Sequence, residues 1–79
     1  MEVKIGVQHA PRELVVDYDG SADDVQAAVL VALGKQKGDT EGLLVLEDTH
    51  GRRVVVPADR LAYVDIGEQT ERRVGFGAL

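Results

Sequence analysis

The sequence predicts an α+β domain of order ββα followed by βββ, with one helix packed on one face of an antiparallel sheet. Three observations carry that expectation. Two segments near the start alternate apolar and polar residues. A segment from residue 22 repeats apolar residues at helical spacing behind a capping signal. Three further short apolar runs follow, each bounded by turn residues.

The first strand covers residues 2–8, with Val3, Ile5 and Val7 on one side and Glu2, Lys4, Gly6 and Gln8 on the other. Pro11 breaks it, because proline fixes its own φ and pushes Ala10 toward extended geometry. Alternation resumes over 13–18 through Leu14, Val16 and Tyr18. The four-residue connection, 9–12, favours an antiparallel hairpin. Ser21 is the expected N-cap, and Asp24 completes a capping-box spacing. Asp23 and Asp24 also suit the positive end of the helix dipole. Ala22, Val25, Ala28, Val29, Ala32 and Leu33 form the predicted core stripe, and Gly34 the stop. Residues 34–42, GKQKGDTEG, read as a polar, mobile loop.

Leu43 to Leu46 is a short apolar strand, and residues 48–51 make a turn into a second strand over 52–56. Residues 57–60 give a tight corner with one turn of 3-10 helix, and 61–66 a third strand of the meander, closed by Gly67. The tail, 72–79, is expected to add a last short strand, against which Gly75 and Gly77 count. No repeat or linker divides the chain, so residues 1–79 are expected to form one domain.

Several segments together resemble one family: VKIGVQHAPREL at the start, SADDV at the helix, GRRVVVPADRLAYVDIG in the meander and RRVGFG near the end. They are similar to the small actinobacterial proteins grouped as domain-of-unknown-function family 3107. The resemblance covers nearly the whole chain and is weakest over the helix end and the 34–41 loop. It implies a short, stand-alone, cytoplasmic protein and brings no catalytic residues with it.

Composition removes several function classes. The 79 residues include no cysteine, which excludes disulfides, thiolate metal sites and a cysteine nucleophile. No run approaches the roughly 18 apolar residues of a membrane span. Met1 leads directly into a strand pattern rather than a signal segment, so a cytoplasmic location is expected. A net charge of -5 opposes bulk attraction to nucleic acid or anionic lipid. Ser21 is the sole serine, and His9 and His50 lie in separate turns, so no nucleophile–base pair is expected and the chain reads as non-enzymatic. The string DYDGSADD superficially resembles a calcium loop, but Ala28 stands where the bidentate Glu belongs and glycine is at the wrong position. Strand-end and capping chemistry explain those acids, and neither metal nor cofactor is expected.

Two features point to partners. Arg52, Arg53, Arg60, Arg72 and Arg73 would form a basic edge for a nucleotide, nucleic acid or other anion if the meander gathers them. The favoured reading is that they pair with Asp48, Asp59, Asp65, Glu68 and Glu71. The stronger signal is surplus apolar surface. Ala27, Leu30 and Val31 lie off the helix core stripe, and the strands around Val55 are apolar on both faces. Either the sheet curls into a small open barrel, or another chain covers its second face. The latter predicts a homo-oligomeric interaction module, with a further protein partner.

Overall fold

A computed structural model describes residues 1–67 and gives them five strands, one α-helix and one 3-10 turn. The strands are β1 (Glu2–Val7), β2 (Leu14–Asp17), β3 (Leu43–Glu47), β4 (Arg53–Pro57) and β5 (Leu61–Ile66). The helix α1 spans Ala22–Ala32, and the 3-10 turn Ala58–Arg60 joins β4 to β5. The α+β class, the element order over 1–67 and the corner at 57–60 are as expected. The predicted tail strand, with Arg72 and Arg73, lies outside the described residues.

The sheet divides in two. One sheet has the order β2-β1-β5 and the other is the β3-β4 hairpin, both antiparallel. The predicted meander therefore fails at its last step, because β5 pairs with β1 and not with β4. The reason is apolar register. Pairing on β1 sets Ile66 opposite Val3 and Val64 opposite Ile5, so four apolar side chains share the core face. The bond from Gln8 N–H to the Arg60 carbonyl, 2.8 Å, holds the chain there as it leaves the corner. That gain overrides the tendency of sequential strands to pair. The two sheets meet through the isolated bridge Tyr18–Asp48 and do not close into a barrel.

Both sheets turn their inner faces to one core. Val3, Ile5, Val16, Val25, Ala32, Leu44, Leu46 and Val56 are all buried in it. The second sheet thus absorbs part of the surplus apolar surface, by burying Leu44, Leu46 and Val56 on the side that faces α1. The helix packs chiefly on β3. Its start is the predicted capping box, with the Asp24 N–H donating to Ser21 Oγ at 3.0 Å and the Ser21 N–H donating to Asp24 Oδ2 at 3.3 Å. Val25 and Ala32 reach the core, whereas Leu33, predicted in the stripe, is exposed.

The 34–42 loop is anchored more closely than its polar composition suggests. Gly38 lies so near Val31 that a Cβ there would overlap the valine side chain. The Gly42 N–H donates to the Ala32 carbonyl, and the Ala58 N–H to the Gly42 carbonyl. Gly42, at φ 88°, adopts a left-handed conformation that favours glycine.

Candidate functional site

The densest polar constellation is the β3-β4 turn, centred on Asp48. Its carboxylate is buried, with four donors around it. Oδ2 accepts from the Asp17 N–H at 3.0 Å and from Arg52 Nη2 at 3.3 Å. Oδ1 accepts from the His50 N–H at 2.7 Å, and His50 Nδ1 lies 2.6 Å away. An ionised carboxylate only accepts, so the imidazole proton facing it sits on Nδ1. The Asp17 N–H first, then the His50 backbone and ring, hold the Asp48 carboxyl well below the ordinary carboxylate range. The local part of this geometry is an Asx turn, in which aspartate bonds the backbone two residues on.

The turn also reaches β2. Arg52 Nη2 donates to the Val15 carbonyl at 3.0 Å, and the Thr49 N–H donates to the Asp17 carbonyl at 2.8 Å. Thr49 Oγ1 donates to Asp17 Oδ2 at 2.9 Å. The Met1 amino group donates to the Tyr18 carbonyl at 2.9 Å and lies 3.5 Å from Asp17 Oδ1. Asp17 and Asp48 therefore serve as acceptors in a clip between the two sheets. Among the described residues, no group of three or more histidine or acidic side chains is placed to hold a metal ion.

The predicted arginines are only partly brought together. Arg52 is engaged with Asp48 and Val15, and Arg53 Nη2 pairs with Glu47 Oε2 at 3.0 Å. Arg60 lies in the 3-10 turn past the opposite end of β4, a strand that runs about 13 Å from Arg53 to Pro57. Arg72 and Arg73 are outside the described residues. A cleft of about 280 Å³ beside Arg52 and Arg53 is also walled by Glu47 and Asp48, so both signs of charge face it. Spacing alone did not reveal the clip. An Asp with His two residues on and Arg four residues on is the only local signal of it.

The predicted interface residues occupy different surroundings. Ala27, Leu30 and Val31 are half-buried on α1, with Gly38 against Val31. Val55 is 48% exposed on the outer face of the β3-β4 hairpin, opposite Val45 and near Leu43, itself 42% exposed. The Glu47–Arg53 pair closes one end of that patch.

Fold and clip together define a small α+β domain built from two antiparallel sheets locked at one corner. The family model described as "Protein of unknown function (DUF3107)" matches residues 1–77, and the chain belongs to that family. No curated protein matches the chain.

Proposed function

We propose that this chain is a non-enzymatic, cytoplasmic interaction module that works as a homo-oligomer. The observation that carries the reading is the outer face of the β3-β4 hairpin. Leu43 and Val55 are exposed on it, and Val45 between them is half-buried. A twofold axis through this face would bury the same patch on each copy. The half-buried Ala27, Leu30 and Val31 have less area to offer. A domain of this size gains most from such burial, since its own core is small.

The test is sedimentation velocity on the wild-type chain and on Val55→Glu across micromolar concentrations. Dimers that become monomers in the variant, with unchanged circular dichroism, support the reading. Equal behaviour of the two chains removes this face from it. An anion-binding regulator using the arginines is the alternative, and the engagement of Arg52 and Arg53 with Asp48 and Glu47 counts against it. Salt-sensitive binding of nucleotides or nucleic acid would favour that alternative.

A further inference from the structure

The outer edge of β3 is closed at both ends and open in the middle. The Ala58 N–H donates to the Gly42 carbonyl at 2.8 Å, and the Asp48 N–H to the Arg52 carbonyl at 2.7 Å. Those bonds fix the alternation of the hairpin, so Leu44 and Leu46 turn their main-chain groups to β4. Leu43, Val45 and Glu47 turn theirs away. At one end the Leu43 N–H donates to the Thr40 carbonyl at 2.9 Å. Past the other end Tyr18 bridges Asp48, and the chain then leaves for the Ser21 cap of α1. Between these ends, Val45 N–H and C=O and the Glu47 N–H have no backbone partner among the described residues. Natural sheets blunt such an edge with lysine, proline or a covering segment. The sequence of β3, LLVLE, has neither lysine nor proline. Beside the open stretch lies a cleft of about 620 Å³, lined by Tyr18, Asp19, Thr40, Val45 and Glu47 among others.

We propose that this cleft is a strand-acceptor site for an extended segment of a partner protein that carries a basic residue. A segment antiparallel to β3 exchanges two main-chain bonds with Val45 and accepts a third from the Glu47 N–H. It continues the line that Tyr18 begins at Asp48. The volume falls within the roughly 300–1,000 Å³ of ligand pockets. Charge sets the kind of partner. Asp19, Glu47 and Asp48 line the cleft, and no lysine or arginine does. Arg52 engages Asp48 and Arg53 engages Glu47, whereas exposed Asp19 has no ion pair among the described residues. A lysine or arginine on the incoming strand supplies the opposite charge, and an acidic strand is repelled. The β3 edge of a second copy does not fit, because LLVLE has no basic residue to offer. Main-chain bonds then give affinity, and Asp19 gives selectivity. The inference concerns the main-chain edge of β3 and does not rest on the homo-oligomer reading.

The experiment is an NMR titration of the full wild-type chain with two capped five-residue peptides. One alternates valine with lysine, and the other alternates valine with glutamate. The lysine peptide should give saturable shifts at the Val45 and Glu47 amides and slow their exchange at least about tenfold. The glutamate peptide should bind at least about tenfold more weakly, and Asp19→Lys should reverse that preference. Unmoved Val45 and Glu47 amides at millimolar lysine peptide would overturn the proposal, as would equal binding of the two peptides. Slow exchange at both amides without peptide would also overturn it. The edge would then belong to the chain itself or, where protection grows with protein concentration, to a second copy.

Discussion

Arg52 Nη2 donates to the Val15 carbonyl at 3.0 Å, joining residues 37 positions apart and sealing the outer edge of β2 from a turn of the other sheet. The same guanidinium lies 3.3 Å from the Asp48 carboxylate, so one side chain serves both edge protection and turn closure. An arginine pair this exposed contributes little by itself. The buried Asp48, with four donors, is the member whose loss should matter.

Asp48→Asn should lower the melting temperature at pH 7 by more than Arg52→Ala does. The pH dependence has a definite sign. The folded carboxyl is held below its unfolded value of about 4, so its stabilisation is present above that value. It is lost as pH falls from about 4 toward the depressed folded value. Thermal melts between pH 2 and pH 7 should therefore show the wild-type and Asp48→Asn curves converging in acid. A constant gap across that range would show that Asp48 acts only through shape.

Gly51 sits between His50 and Arg52 at φ 87°, a left-handed conformation. A Cβ there meets nothing within 4 Å, so the penalty for Gly51→Ala is backbone strain alone. The expected cost is about 1 kcal/mol, read from urea midpoints. No change in midpoint would mean that the turn relaxes to negative φ without disturbing the clip.

Val25 is fully buried and Val29 only partly so, although both belong to the stripe that the helical period predicts. Val25→Ala should cost about 2 kcal/mol and Val29→Ala about half of that. Chemical denaturation of the two variants checks the order. The reverse order would mean that α1 is rotated relative to β3.

Tyr63 covers Gly6, where a Cβ would collide with its ring, and its hydroxyl donates to Glu13 Oε2. That bond, with burial and the Glu13 charge adding to it, raises the phenol above its usual value near 10. Spectrophotometric titration of Glu13→Gln should show one tyrosine moving down toward 10. A raised folded value means that this contribution is present below pH 10 and lost as pH rises through the folded pKa. An unmoved titration would place Glu13 away from the ring in solution.

Much of the fold was legible because its signals are local. The Ser21–Asp24 box and the alternation of Val3 and Ile5 each act within a few residues, and the structure keeps both. The pairing of β5 was not legible. It depends on Val64 and Ile66 meeting Ile5 and Val3 some 60 residues away, and nothing near residue 61 distinguishes that from pairing with β4. The Asp48 clip was hidden for the same reason. Its turn was expected from Asp48 to Gly51, but its bonds to Asp17 and Val15 cross more than 30 residues. The arginines show the opposite case, in which neighbours in sequence, Arg53 with Glu47 and Arg52 with Asp48, meet in space across one turn.

The proposed self-association rests on the apolar outer face of the β3-β4 hairpin, where Leu43 and Val55 are exposed. Static light scattering on the wild-type chain at micromolar concentration measures this without any variant. Self-association gives a mass of at least twice the 8.5 kDa of one chain. A single species of 8.5 kDa throughout the concentration range would contradict it.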